Sequence, residues 1–177
     1  EADIIIPMIE YHLHAGVDVM IITDNGSLDG TREILARYES DPRVTVLDEP
    51  TQDGDQSRVV TGMARLAATE FDATWVINAD ADEFFVPRDG NHTLGDVSRE
   101  MPVSIASATI PVVDMTGTPA RSGPGLSRLV YGDQRAEETL YDTAGLHAHA
   151  THDAIHVGSS DVVVSHGNHF VSIASRG

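Results

Sequence analysis

The sequence contains no cysteine and no lysine, and both absences narrow its chemistry. Without cysteine the chain has no disulfides, no thiolate zinc sites and no thiol nucleophile. All 11 basic residues are arginine and 28 residues are acidic, so the net charge is -17. Because this charge repels phosphate backbones and anionic lipids, we expect no nucleic-acid partner. The lack of lysine itself indicates either a salt-adapted protein or GC-rich coding.

Long apolar runs are missing as well. No stretch approaches the roughly 18 uninterrupted apolar residues of a membrane-spanning helix, and no basic segment precedes an apolar one at the amino terminus. We therefore expect no transmembrane segment and a cytoplasmic location. With 177 residues, 41% of them hydrophobic, the chain is long enough for a single domain over 1–177 with its own core.

Helix and strand patterns alternate along most of the chain. Apolar periodicity predicts helices over 5–15, 31–38, 56–70 and 93–101, and strands over 17–23, 43–47, 75–77, 104–113 and 162–164. In the first helix the spacing places five residues on one buried face: Ile5, Met8, Ile9, His12 and Leu13. Gly16 then suits the helix C-cap. Alternation of this kind is typical of an α/β domain with a mixed, mostly parallel sheet and helices on both faces. Such a domain normally starts with a strand, so we expect its first strand to be missing from this chain.

The stretch from Trp75 to Phe85 delivers three carboxylates to the end of a short apolar strand. Ligands bind at the carboxyl ends of strands in open α/β sheets, which is where Asp80, Asp82 and Glu83 would lie. Asp80 and Asp82 are two residues apart, so their side chains share one side of an extended chain and repel each other unless a cation lies between them. Oxygen ligands favour Mg²⁺ or Mn²⁺. The alternative is a solvated acidic turn.

Other polar residues follow strands or begin helices. Asp24 closes the 17–23 strand, where it could accept hydrogen bonds from a nucleotide's base or ribose, and Asp29 suits a helix N-cap. Arg58, at the start of the third helix, would either contact a phosphate or be solvated. Asp114 closes the 104–113 strand. The Gly-, Pro- and Ser-rich segment 116–125 is typical of a flexible loop that could act as a lid.

Histidines are concentrated in the final third of the chain. His147 and His149 have a spacing that could bind a metal, or they belong to a scattered surface set. His166 and His169 follow the 162–164 strand. If that strand ends beside the 75–77 strand, one of these two histidines, with His169 favoured over His166, could complete an octahedral metal site with Asp80 and Asp82.

Two motifs in the first half resemble those of family 2 type glycosyltransferases. The first is Asp-Asn-Gly-Ser-Leu-Asp-Gly-Thr over 24–31, and the second is Asp-Ala-Asp-Glu-Phe over 80–84. More closely, the chain is similar to a subgroup that also carries Glu-Tyr-His, here 10–12, ahead of both motifs. The resemblance covers roughly the first half of the chain and implies a GT-A fold.

The resemblance also implies hexosyl transfer from a nucleoside diphosphate sugar, with UDP-sugar favoured, to an unknown glycan, lipid or small-molecule acceptor. It implies that Asp24 contacts the nucleoside, Asp80 the ribose or the metal, and Asp82 the metal. Residues 1–114 would bind donor and metal, and 115–177 would form the acceptor side and a closing strand. An inverting enzyme needs a general base, for which Asp114 is our candidate and Glu137 and Glu138 are alternatives.

Two other functions fit part of this pattern. A nucleotidyltransferase also uses paired aspartates and Mg²⁺, but it usually carries a Gly-rich basic phosphate loop, which this sequence lacks. A non-catalytic carbohydrate- or nucleotide-binding module would keep the pocket without the base.

Overall fold

The computed structural model describes residues 1–50, 55–118, 126–133, 135, 137–145 and 151–174, and these form a mixed α/β structure. The helices are α1 (Ile5–His14), α2 (Thr31–Leu35), α3 (Gln56–Glu70), α4 (Leu94–Glu100) and α5 (Glu137–Ala144). The strands are β1 (Met20–Asp24), β2 (Val44–Asp48), β3 (Trp75–Ile77), β4 (Ser107–Ile110), β5 (Asp114–Gly117), β6 (Leu129–Asp133), β7 (Asp153–Val157), β8 (Val162–Val164) and β9 (Val171–Ile173). Short 3₁₀ turns span Val103–Ile105, Leu126–Arg128 and His166–Asn168. None of the described helices is both long enough and apolar enough to cross a lipid bilayer.

Helix α1 confirms the face predicted from its apolar spacing. Its buried residues are Ile5, Met8, Ile9, His12 and Leu13. This face packs with Met20 of β1, Leu35 of α2 and Val44 of β2 in one core cluster. Gly16 follows the helix with a φ of 88°, a left-handed conformation that glycine adopts without steric cost. The helix therefore ends where the sequence predicts, and β1 follows it in the chain.

The strands form four small sheets rather than one mostly parallel sheet. Only β1 and β2 are parallel among the described strands. In the three-stranded sheet β3-β7-β4 both outer strands run antiparallel to β7, and the pairs β5-β6 and β8-β9 are antiparallel hairpin-like ladders. The prediction of a mostly parallel sheet was therefore wrong for the described residues. Alternation of helices and strands does not specify which strands become neighbours, and β7 enters between β3 and β4 from late in the chain.

A second core cluster joins α3 to the last strands. Val60 and Ala64 of α3 pack against Val76, Val162 and Val164. Polar side chains of the same helix also bond the backbone of β8: Ser57 Oγ and Thr61 Oγ1 donate to Val164 O at 2.7 and 3.3 Å, and Arg65 Nε donates to Val162 O at 2.8 Å. These bonds satisfy an edge of β8 that has no further strand beside it among the described residues.

Several predicted boundaries were wrong. β1 begins at Met20 instead of Val17, and α2 ends at Leu35 instead of Tyr38. The strand predicted over 104–113 is reduced to β4, because a 3₁₀ turn occupies Val103–Ile105 and Pro111 has no N–H to donate to a ladder. Asp114 consequently opens β5 instead of closing that strand. Asp29 is also not the N-cap of α2, which is Gly30 with a φ of 93°. The Asp29 carboxylate still accepts from Thr31 N at 3.1 Å and from Thr31 Oγ1 at 2.6 Å, so it supports the first turn from one residue further out.

Candidate functional site

The ends of β3 and β4 meet at the start of β7. Ile77 pairs with Ile155, and Ile110 pairs with Asp153, the first residue of β7. Because both outer strands are antiparallel to β7, the carboxyl ends of β3 and β4 lie at the same end of the sheet, next to the start of β7. The acidic turn, which we define as Asp80–Glu83, follows β3 at this end of the sheet. The segment that leads from β4 to Asp114 leaves the sheet at the same end.

The acidic turn is closed by two hydrogen bonds within itself. Glu83 N donates to Asp80 O at 3.2 Å, and Asp80 N donates to Glu83 Oε2 at 2.7 Å. Asp80 and Asp82 are exposed, whereas Glu83 is partly buried. Burial of the Glu83 carboxyl and the neighbouring charges of Asp153 and Asp80 raise its pKa to about 7, although the bond from Asp80 N opposes the shift. Glu83 therefore exchanges its proton in the neutral range.

Side chains from two other elements hold Asp80. Its Oδ1 accepts from Gln56 Nε2, at the start of α3, at 3.2 Å, and from Asn168 Nδ2 at 3.1 Å. Asn168 is 1% exposed and has a φ of 61°, a left-handed conformation in which asparagine is enriched. The turn His166–Asn168 after β8 is thereby tied to the acidic turn, through an asparagine that was not predicted as a site residue.

Asp153 lies beneath the acidic turn and was not predicted as a site residue. It is 3% exposed, its carboxyl interacts with that of Glu83, and its Oδ1 lies 3.2 Å from Nδ1 of His169. His169 therefore contacts the first residue of β7, the strand that pairs with β3. The only sequence feature that marks Asp153 is its position directly before the apolar run of 154–157, which places a carboxyl at a strand start.

Asp24 lies in the wall of a large cavity that β3 also lines. It is 6% exposed, and its Oδ2 accepts from Gly26 N and Ser27 N, both at 3.1 Å. Its Oδ1 is buried and has no hydrogen-bond partner among the described residues, and the same is true of Thr23 Oγ1 and Asn78 Nδ2. Buried polar atoms are usually paired. Unpaired donors and acceptors at the carboxyl ends of β1 and β3 indicate a place where a polar ligand binds.

The cavity has a volume of about 1410 Å³ and is lined by β1, β3 and the facing sides of α1 and α3. Asp24, Asp80 and Asp82 all contribute to its wall. Three residues predicted from the sequence belong together here, because a nucleotide contacting Asp24 and a cation bound by Asp80 and Asp82 would share one space. His169, Arg58 and Asp114 are not among the described residues that line it.

The remaining predicted residues lie elsewhere or outside the described part of the chain. Arg58 Nη1 forms an ion pair with Glu49 Oε2 at 3.0 Å, so its charge is engaged by protein. Glu137 and Glu138 open α5. His147, His149 and the predicted lid residues 119–125 fall outside the described residues.

Within the described residues, no group of three His, Asp or Glu side chains is arranged to hold a metal ion by itself. The two exposed carboxylates of Asp80 and Asp82 nevertheless fit the chemistry of Mg²⁺ or Mn²⁺. Mg²⁺ keeps several waters and is commonly held by one or two carboxylates together with the phosphates of a substrate. The acidic turn can therefore serve as the protein's share of a site that a phosphate-bearing ligand completes.

Comparison with known proteins covers the stretch that carries this geometry. The model of glycosyltransferase family 92 matches residues 1–116, which is about two thirds of the 177 residues. Searches of the curated proteins and of the solved structures found no match. The matched stretch contains Asp24, the whole acidic turn and Asp114. The chain therefore belongs to glycosyltransferase family 92, and it is a glycosyltransferase.

Proposed function

We propose that this glycosyltransferase uses a nucleoside diphosphate sugar, most simply a UDP-sugar, and a divalent cation. The observation that carries the proposal is that Asp24, Asp80 and Asp82 line one cavity, with a buried and unpaired carboxylate oxygen on Asp24. The acceptor is a hydroxyl group on a glycan, a lipid or a small molecule.

Each of these residues would contact a different part of the donor. Asp24 Oδ1 would accept a hydrogen bond from the nucleoside, because it is desolvated and has no described partner. Asp80 would contact the ribose or the metal, and Asp82 would bind the metal, with His169 as a further candidate ligand. When bound, Mn²⁺ or Mg²⁺ would stabilise the negative charge of the leaving diphosphate. In a chain with a net charge of -17, a cation also reduces the repulsion that a polyanionic donor meets.

For the acceptor we propose Asp114 as general base in an inverting reaction. β4 ends at Ile110, which pairs with Asp153, so the chain leaves the sheet beside the acidic turn and reaches Asp114 four residues later. A base at this edge could take the proton of an acceptor hydroxyl while the leaving diphosphate is held at the acidic turn. Glu137 and Glu138, at the start of α5, are the alternatives.

The fold we propose is GT-A, related to that of the family 2 type enzymes. β1 pairs with β2 in one sheet and β3 pairs with β7 in another, and residues of both β1 and β3 line the cavity.

Calorimetric titration of UDP into the chain with Mn²⁺, and again with EDTA, tests the proposal. We expect binding only with Mn²⁺, and a loss of affinity of about 100-fold in Asp82→Asn, because a carboxylate ligand of the metal is removed. Asp161→Asn, an exposed aspartate beside β8, is the matched control and should bind like the wild type. If a folded chain binds UDP equally well in EDTA, the metal assignment is wrong. If it binds neither UDP nor GDP nor dTDP, the acidic turn is only a solvated turn.

A further inference from the structure

We propose that Tyr11 and His12 of α1 are positioning residues that clamp the backbone of Phe85 and thereby hold the acidic turn in the cavity wall. The role of the acidic turn in this proposal rests on the proposed function; the clamp itself rests on the contacts alone. Neither Tyr11 nor His12 needs to touch the donor for the clamp to act.

The clamp takes up both backbone polar groups of one residue. Tyr11 Oη donates to Phe85 O at 3.0 Å, and Phe85 N donates to His12 Nε2 at 3.3 Å. Phe85 lies two residues beyond the acidic turn, in a segment that forms neither helix nor strand. Such a segment has no ladder to satisfy its N–H and C=O groups, so side chains must do so. Two consecutive residues of α1 do this here.

The hydrogen bonds of His12 require one tautomer and no charge. Its Nδ1 lies 2.9 Å from Met8 O, a carbonyl that can only accept, so Nδ1 carries the proton. Nε2 then has the lone pair that accepts from Phe85 N. The ring is 4% exposed, and burial lowers the pKa of His12 below its usual value. Protonation of Nε2 would set one N–H against another and break the bond to Phe85.

Aromatic contacts fix the same segment from the side. The ring of Phe84 meets Tyr11 edge-on at 5.4 Å between centroids and stacks on His12 at 6.0 Å. Phe84 also packs against the core cluster that α1 builds. The groups that face the His12 ring from α1 and from residues 84–85 are Tyr11, Phe84, Phe85 and the Met8 carbonyl. Of these only Tyr11 titrates, and burial raises its pKa from 10.0.

The clamp connects α1 to the segment that carries the candidate metal ligands Asp80 and Asp82. Asp80, Asp82 and Phe85 all line the cavity, and the backbone between Glu83 and Phe85 is short and bonded at both ends. Release of Phe85 would let the turn move relative to Asp24, which lines the same cavity. The donor would then have to order the turn on binding, at a cost in affinity.

Hydrogen exchange of the metal-free protein tests the clamp without any ligand. We expect Tyr11→Phe to speed exchange of the Phe85 amide about fivefold, because one hydrogen bond of the clamp is lost. The matched control is Tyr38→Phe. Tyr38 Oη donates to Glu10 Oε1 at 2.9 Å, so this variant also removes a tyrosine hydroxyl bonded to α1, at a site away from the turn. Equal Phe85 exchange in the two variants would overturn the proposal.

A pH series supplies the readout that a merely structural role would not change. In the wild type, Phe85 exchange corrected for its intrinsic rate should accelerate as pH falls and His12 gains a proton. In His12→Gln, whose amide oxygen can still accept but does not titrate, this pH dependence should vanish. If that variant does not fold, Tyr11→Phe against Tyr38→Phe decides alone.

Affinity for UDP with Mn²⁺ then connects the clamp to the site. Tyr11→Phe should bind about fivefold more weakly than Tyr38→Phe, since the lost bond must be compensated by ordering the turn. Faster Phe85 exchange with unchanged affinity would overturn the positioning role. If the wild type binds no nucleotide, the proposed function fails, while the exchange measurement still decides whether Tyr11 and His12 hold Phe85.

Discussion

Glu83 is the residue of the acidic turn that responds to pH in the neutral range. Its pKa of about 7 lies above the ordinary value of 4.5, so the folded state binds more protons than the unfolded state between these values. The stability that Glu83 contributes is therefore fully present below about pH 4.5 and is lost as pH rises through about 7. The physical cause is a carboxyl that is desolvated and faces two other carboxylates.

We predict that Glu83→Gln raises the free energy of unfolding at pH 8 by about 1 kcal/mol, after allowance for solvent screening of a half-buried group. Glutamine can still accept the bond from Asp80 N but carries no charge. At pH 4.5 the gain should be absent, because wild-type Glu83 is then protonated. Urea unfolding in EDTA at both pH values measures this, with exposed Glu100→Gln as control. A gain of equal size at both pH values would argue against a titrating Glu83.

Asp153 contributes to that shift, and its removal should reduce it. In Asp153→Asn we expect the pKa of Glu83 to fall from about 7 but to stay above 4.5, because burial, the largest cause, remains. Carboxyl carbon chemical shifts followed against pH by NMR report this value directly, and Asp161→Asn serves as control. An unchanged pKa of Glu83 would mean that Asp153 does not contribute to the shift.

Among the elements, α3 and β8 are joined in part by one buried threonine, the side chain of α3 that bonds both the N–H and the C=O of Val164. Thr61 is 9% exposed; its Oγ1 accepts from Val164 N at 2.9 Å and donates to Val164 O at 3.3 Å. Gln56 is the first residue of α3, and Asn168 lies in the turn that follows β8. The contact between α3 and β8 therefore also positions the two side chains that hold Asp80.

We predict that Thr61→Val lowers the free energy of unfolding by about 1–3 kcal/mol, since a buried backbone N–H loses its acceptor. Valine has a similar shape, so the change tests the hydroxyl and not the packing. Thr69→Val, exposed on the same helix, should change stability by less than about 0.5 kcal/mol. Chemical unfolding of both variants makes the comparison, and similar losses would contradict the role of the hydroxyl.

For the whole molecule, the dominant electrostatic fact is a net charge of -17. Self-repulsion of this size destabilises the compact state and is screened by salt. We predict that the melting temperature in EDTA rises by about 3 °C or more between low and molar salt, which corresponds to about 1 kcal/mol for a chain of this size. Calorimetry in sodium chloride, with sucrose as control, measures it. A flat response would favour GC-rich coding as the reason for the absence of lysine.

The local structure of this protein was largely predictable because it follows from short-range patterns. The buried face of α1, the strand Trp75–Ile77 and the strand Val162–Val164 were predicted and are confirmed. The assignment as a glycosyltransferase is also confirmed. The family 2 relationship, the GT-A fold, the UDP-sugar, the cation and the general base stay predictions.

Contacts between distant segments could not be predicted in the same way. No local pattern places Asp153 under Glu83, or Asn168 beside Asp80, because these pairs are separated by 70 and 88 positions in the chain. The prediction of parallel neighbours was wrong for β3 and β4 for the same reason, since both pair with the antiparallel strand β7, which comes from late in the chain. The role of Arg58 as a phosphate contact is weakened by its ion pair with Glu49, a residue that precedes it by only nine positions.

By itself, the sequence determined the helices α1 and α3, the strands Trp75–Ile77 and Val162–Val164, the acidic turn and the glycosyltransferase motifs. Apolar periodicity, turn residues and carboxylate spacing act over a few residues. Only the tertiary structure decided that Asp24 and Asp82 line one cavity and that Glu83 is buried next to Asp153. It also decided that Tyr11 and His12 form hydrogen bonds with the backbone of Phe85. Those features depend on burial and on pairing between segments far apart in the chain, and such contacts form only when the whole core is packed.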